Sequence, residues 1–268
     1  MIVKNIITQN FIVQDLRQLK KFPKAVKRDG IILVLKAIKR TYYYRVFNKL
    51  ANFKTDINSE RYWDVRLKRN WDQSGGDVQT RQFAIGLIAN VNLRELVGIK
   101  SILDFGCATG EACPILRTVF PDSKIYIHDI AKNGVDKAIR KYGKLLSVEV
   151  WPNATKVDFV YSSNVIEHVN DTKAFLEQII RVSNRYILIQ CPWEEYHANG
   201  ERITPRNSQS EHVWTIDDQF ISKFFDQKDI VWTKITGKVP IAWDGGEQLF
   251  MLGEKSRQVS STKEGSLH

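Results

Sequence analysis

The stretch "SILDFGCATGEACPIL", residues 101–116, runs from a continuous apolar segment through an acid into a glycine turn, and then into a helix-forming run. Gly106 and Gly110 let a backbone turn sharply and approach a ligand closely. Asp129 ends the next apolar segment, "KIYIHDI", and an acid at that place suits the two hydroxyls of an adenosine ribose. These features fit a dinucleotide or a sulfonium nucleoside. Asp104, two residues before Gly106, separates the two. A pyrophosphate is anionic and is repelled by a carboxylate in its cradle. S-adenosylmethionine carries a sulfonium and an ammonium and no phosphate, so the acid attracts it. A carboxylate that only hydrogen-bonds the backbone of the turn is the plainer reading of Asp104, and the two are compatible.

A second chemical run follows at "VDFVYSSNVIEHV", where Glu167 and His168 stand just beyond an apolar segment. An imidazole titrates near neutral pH, so His168 is a candidate general base. A third is the long polar run "CPWEEYHANGERITPRNSQSEHVWT", which holds Trp193, His197, Arg202, Arg206, His212 and Trp214. Long connections in compact domains are usually functional or disordered. Aromatic faces beside polar donors suit a sugar or another polyhydroxylated acceptor; the alternative is a surface lid whose tryptophans pack on the core.

The elements that must position these residues alternate. "KSILDFG", "KIYIHDI", "LLSVEV", "KVDFVYSS" and "NRYILIQCP" read as strands. "EACPILRTVF", "NGVDKAIRKYG", "DTKAFLEQIIRVS" and "TIDDQFISKFF" read as helices, with Asp171 a natural N-cap and Gly143 a natural stop. "DIVWTKITG" and "EQLFMLGEK" follow as two strands with no helix between them. Repeated strand–helix units predict a Rossmann-like, doubly wound α/β fold: a mostly parallel seven-stranded sheet closed by an antiparallel strand.

"ILDFGCATG", "IYIHDI" and "VDFVYSSNVIEHV", in this order, resemble the successive motifs of class I S-adenosylmethionine-dependent methyltransferases. The subset is the type 11-like group, and the resemblance covers roughly residues 98–254. It implies that Asp104, Gly106, Cys107, Ala108 and Gly110 surround the methionine part of the cofactor. It also implies that Asp129 takes the ribose, that Ile130 packs on adenine, and that Ser163 and Asn164 lie near the sulfonium and amine. Ala108 stands where many members carry glycine, at little cost if its φ is negative. No acid of the third strand marks an adenine contact, and Trp151 is a candidate to stack in its place.

Some relatives, among them ubiquinone-pathway O-methyltransferases, bind a metal through an E-x-x-E-H run. Here Asn164 replaces the first carboxylate, so no metal is expected, and Glu167 and His168 read as supporting residues. "SEHVW" resembles the corresponding place in glycan-cluster methyltransferases, which makes His212 the first choice for a substrate contact or base, with Trp193 and Arg202 beside it. The implied reaction is O-methylation of a sugar hydroxyl in a surface-glycan or glycolipid precursor. A quinone-like acceptor, RNA, or a catalytically silent adaptor are the other readings. Gln79 and Arg81, in the lead-in "SGGDVQTRQF", either reach the cofactor carboxylate or belong to a solvated face.

The organisation read from the chain is a basic helical extension over 1–58, a catalytic domain over 59–254 and a disordered polar tail over 255–268. Of the net charge of +10, residues 1–70 carry +12 and the remainder −2. Nucleic acid is therefore an unlikely partner of the catalytic face. Ile31, Leu35, Ile38, Tyr42 and Val46 form one apolar helical stripe with Lys36 and Arg40 opposite, a pattern suited to an anionic membrane surface. Packing of the stripe on the chain's own core or on a second protomer, or RNA binding, is the competing reading. The most apolar short run, "GIILVLKAI", is far shorter than the ~20 residues of a membrane span. Three cysteines without paired spacing suggest reduced thiols. The expected location is cytoplasmic, on or near the inner face of a membrane.

Overall fold

The computed structural model describes residues 57–256, apart from 70, 154, 209, 240, 241 and 243–245. The basic extension, but for its last two residues, and the apolar stripe from Ile31 to Val46 lie outside the described residues. So does the polar tail from residue 257 on. Lys255, assigned to that tail in the sequence, ends a strand instead.

Three helices lead in: α1 (Glu60–Arg69), α2 (Trp71–Ser74) and α3 (Gly76–Asn90). The break between α2 and α3 falls at Gly75, whose φ of 80° ends the first run. Trp71 packs against Gly76 so closely that a Cβ there would lie 2.5 Å from the indole.

The sheet follows. Its strands are β1 (Ser101–Phe105), β2 (Lys124–His128), β3 (Val148–Val150), β4 (Val157–Ser163), β5 (Ser183–Trp193), β6 (Ile230–Lys238) and β7 (Glu247–Lys255). Their order is β3-β2-β1-β4-β5-β7-β6. The first five are parallel, and β7 runs antiparallel between β5 and β6. The seven-stranded, mostly parallel sheet with an antiparallel closing strand is therefore present as expected.

The helices between strands are α4 (Cys113–Val119), α5 (Lys132–Ala138), α6 (Thr172–Val182) and α7 (Asp218–Phe224). Beyond α5 the chain continues through a wider turn, Ile139–Gly143, and a last turn, Lys144–Leu146. The carboxylate of Asp171 accepts the Ala174 N–H at 2.9 Å, and that of Asp217 accepts the Phe220 N–H at 2.9 Å. Each such cap is worth about 1 kcal/mol to its helix.

Side chains of each strand alternate between two cores. Ile102, Phe159, Tyr161 and Leu188 join α3, α4 and the turn after α5 on one face. Leu103, Val160, Ile187 and Ile189 join α6 and α7 on the other. A sheet buried on both faces exposes only its strand ends, so the loops after β1, β2, β4 and β5 are where a ligand can be met.

Candidate active site

The turn after β1 is tightly built. Gly106 has φ +84° and Gly110 φ +78°. A Cβ on Gly106 would lie 2.3 Å from Val165, and one on Gly110 would lie 2.7 Å from the Ala138 methyl. The contact with Val165 shows that the turn after β4 lies directly on the glycine turn. Ala108 adopts φ +48°, not the negative value expected of it. This left-handed backbone costs an alanine about 1–2 kcal/mol. It is held by the Ala108 N–H donating to Asp129 Oδ2 at 2.8 Å. The neighbouring residue α5 turns toward it, Gly134, has no room for a side chain, since a Cβ would lie 2.5 Å from the Ala108 carbonyl.

Asp129 also accepts the Ala131 N–H, through Oδ1 at 2.8 Å. Burial raises its pKa to about 6, against the two backbone hydrogen bonds. Both its oxygens are thus held by the turns it joins, and each keeps a further lone pair for a hydroxyl. Asp104 is 3% exposed, and its Oδ2 has no hydrogen-bond partner. Burial, and then the charge of Asp129, raise its pKa to about 7. A buried acid left without a cation is what a cationic ligand would satisfy.

Other residues of this half divide. Ile130 is exposed beside Asp129, as a wall for a flat base requires. Ser163 Oγ accepts from Asn164 Nδ2 at 2.9 Å, and Asn164 takes φ +53°. The Cys107 thiol turns into the core with Ala112 and Cys113, so only the backbone of Cys107 can face a ligand. Trp151 does not offer a stacking face: it is buried against Phe105 and His128, with its indole N–H donating to the Thr155 carbonyl at 2.8 Å. Arg81 is engaged by Glu111 at 2.5 Å and Gln79 by the Ala242 carbonyl at 3.0 Å, so neither points to a cofactor carboxylate. Glu111, which no sequence signal marked, is fully buried and also accepts from Lys141 at 2.5 Å and Tyr142 at 2.8 Å.

The second half lies beyond β4 and β5. The turn Ile166–His168 carries Glu167 and His168, and the loop after β5 crosses it. That loop is anchored: Val213 N–H donates to the Glu167 carbonyl at 2.7 Å, and Thr215 N–H to the Ile203 carbonyl at 2.9 Å. The first of these bonds brings His212 to His168, ring centroids 4.8 Å apart. His212 Nδ1 lies 2.5 Å from Glu195 Oε2. Burial lowers the pKa of His212, but the hydrogen bond to Glu195 and the charges of Glu167 and Glu195 outweigh it, and the net shift is upward. His168 donates from Nδ1 to the Glu211 carbonyl at 2.9 Å and packs edge-on to Trp63. Burial, His212 and Arg66 keep its pKa well below the usual range. Burial raises the pKa of Glu167 to about 7.

Helix α1 joins the halves. Its Asp64 accepts from the Asn133 N–H at 2.7 Å on the β2 side. Its Tyr62 and Arg66 both bond Glu211 on the β5 side, and Asn58 Nδ2 donates to the Glu211 carbonyl at 2.6 Å. Neither Glu195 nor Glu211 was singled out in the sequence; their only signal was position, two residues after Trp193 and one before His212.

Arg202, expected beside the acceptor, and Trp214, left open between acceptor contact and core packing, both have partners within the protein. Arg202 is bound to Asp217, the cap of α7, and reaches the Thr215 carbonyl at 3.4 Å; it fastens the loop. Trp214 donates to the Val169 carbonyl at 2.8 Å and packs edge-on against Phe220 and Phe224, as a lid packing on the core would. Trp193 stays partly exposed, with Lys234 Nζ 3.9 Å from its ring centroid. No helix among the described residues is long and apolar enough to cross a membrane.

A family model described as a methyltransferase domain matches residues 57–232. No sequence match is found among characterised proteins. Solved structures are similar in fold. One is the complex of the Trm112 methyltransferase activator with a methyltransferase from Haloferax volcanii, at 13% identity and a TM-score of 0.52, covering 72% of this chain and 97% of that one. Another is the plantazolicin methyltransferase BpumL in complex with a pentazolic desmethylPZN analog and SAH, at 14% identity and a TM-score of 0.51, covering 75% and 100%. A third is a SAM-dependent methyltransferase from Aquifex aeolicus, at 20% identity and a TM-score of 0.45, covering 61% and 87%.

Proposed function

The chain belongs to the methyltransferase-domain family and is an S-adenosylmethionine-dependent methyltransferase, and from that premise we propose that it methylates a hydroxyl oxygen of a polyhydroxylated acceptor, a sugar of a surface-glycan or glycolipid precursor. The observation that carries the oxygen chemistry is the grouping of Glu167, His168 and His212, with Glu195 on His212, beside the glycine turn. Asp104, Asp129 and the backbone of residues 106–110 hold the cofactor in this reading, with Ile130, Ser163 and Asn164 at its edges. The acceptor oxygen meets His168 and His212, loses its proton there and attacks the methyl carbon. The O–C bond forms as the C–S bond breaks, and S-adenosylhomocysteine leaves. Holding the two reactants in line supplies much of the rate, and proton removal adds about 10²–10⁴-fold.

The partly exposed Trp193 and the likeness of the run "SEHVW", residues 210–214, to glycan-cluster enzymes support the sugar class. The charge of +12 on residues 1–70 supports a membrane-borne acceptor, since each basic residue near an anionic surface contributes about 1 kcal/mol. The test is methyl transfer from labelled S-adenosylmethionine to a panel of free sugars, lipid-linked sugars, a quinol and RNA. A methyl ether on a sugar hydroxyl is expected; a label found only on a quinol, on RNA or on nitrogen sinks the reading.

A further inference from the structure

Glu167 is 1% exposed, and neither of its carboxylate oxygens has a hydrogen-bond partner. A buried carboxylate without a partner is costly, so its place asks for a group the chain does not supply. Its neighbours are two imidazoles. One ligand atom each of Glu167, His168 and His212 lies within 4.8 Å of the others, and Glu167 Oε1 stands 3.9 Å from His168 Nε2.

Both rings are oriented from behind. His168 Nδ1–H donates to the Glu211 carbonyl, and His212 Nδ1–H to the Glu195 carboxylate. Each bond sets the tautomer whose lone pair is on Nε2. A carboxylate or carbonyl behind an imidazole in this way is the usual support of a metal-ligating histidine.

We propose that Glu167, His168 and His212 bind one divalent first-row transition cation, of the Mn²⁺ or Zn²⁺ type, which takes the acceptor oxygen as a further ligand. The proposal rests on the hydroxyl-methylation reading above. Two imidazoles and one carboxylate suit such ions, whereas Mg²⁺ and Ca²⁺ ask for mostly oxygen ligands. Ligands about 2.1 Å from one ion lie at most about 4.2 Å apart, so the widest separation in the cluster closes by over half an ångström on binding. The bond from Val213 N–H to the Glu167 carbonyl already ties the two loops together. Three protein ligands leave positions open for substrate. With both Nε2 lone pairs on the ion the imidazoles no longer take the proton themselves: the ion acidifies the bound hydroxyl in their place, and the proton passes to solvent. The sequence argued against a metal because Asn164 replaces a carboxylate; its amide is taken by Ser163, and His212 arrives from a distant loop in its stead.

The experiment uses the full chain, stripped with a chelator, dialysed, and titrated calorimetrically with MnCl₂ or ZnCl₂ in the presence of S-adenosylmethionine. One ion per chain is expected. Glu167→Gln and His212→Ala should each weaken ion binding at least about tenfold, with S-adenosylmethionine affinity unchanged as the measure of intact folding. No stoichiometric ion on the wild type, or ions held equally by both variants, overturns the site. Ion binding without methylation of any hydroxyl defeats the acceptor reading and leaves the site standing. Hydroxyl methylation at full rate by stripped, ion-free protein does the reverse.

Discussion

The two halves of the candidate site at the strand ends are built on opposite plans. The cofactor half is made of backbone: glycine turns with positive φ, a left-handed Ala108, and N–H groups gathered by one carboxylate, Asp129. The acceptor half is made of side chains from distant loops: Glu167 and His168 from the turn after β4, Glu195 and His212 from the loop after β5, Trp63 from α1. Backbone geometry of this kind is tied to short local motifs, while a side-chain cluster depends on which loops the fold brings together. In the proposed reading the first half therefore serves the cofactor, and the second is where a particular acceptor is chosen.

If the division is sound, substitutions should separate cleanly. The largest effect is expected at His212. His212→Ala should lower the rate of transfer by about 10²-fold or more, the range of a lost proton-handling group, and leave S-adenosylmethionine affinity within about twofold. A matching loss of cofactor affinity would merge the halves. Next comes Asp129→Ala, which should weaken S-adenosylmethionine binding by a charge-assisted pair, on the order of 2–4 kcal/mol, read by calorimetry. Unchanged affinity would remove Asp129 from the site.

Acid should act on the cofactor half in the same direction. The carboxyls of Asp129 and Asp104 have pKa values raised to about 6 and about 7, chiefly by burial. A cationic cofactor favours their charged forms, so its binding expels protons. Affinity should be full above pH ~8 and fall as pH drops through these values, by up to about tenfold per unit for each group. Affinity that is flat from pH 8 to 5 would mean that neither carboxylate meets a cation.

The smallest effect sharpens the acceptor half from the other side. Arg202 is partly exposed and bonds Asp217, so Arg202→Ala should cost about 1 kcal/mol of stability or less, read from denaturant unfolding. Its KM for acceptor should not move. A raised KM with unchanged stability would restore Arg202 to the substrate.

The sequence was most legible where the signal is local. Asp171 was read as an N-cap from its place before "TKAF", and it is one, because a cap bonds an amide only three residues away. The mostly parallel sheet with an antiparallel closing strand followed from the alternation of strand and helix patterns and from two last strands with no helix between them. Gly106 and Gly110 were placed at turns, and their positive φ agrees, since only glycine takes those angles freely. Ala108 was misjudged for the opposite reason. Nothing in its type reveals a left-handed φ that is enforced by Asp129, 21 residues on.

By itself, then, the order of residues determined a doubly wound sheet, a glycine turn with an acid inside it, and a second acid at the end of β2. Each of these follows from periodicity or from a spacing of a few residues. Only the tertiary structure decided that Cys107, Trp151 and Trp214 pack with the core and that Arg202 pairs with Asp217, the cap of a helix. It alone decided that Glu195 stands behind His212, and that His212 stands beside a buried, unpartnered Glu167. Those pairings join positions up to 45 residues apart, since His212 meets Glu167 through a loop folded back by one backbone hydrogen bond. Residue type states what a side chain can bond; which partner it meets depends on burial and on loop closure, and neither is written locally.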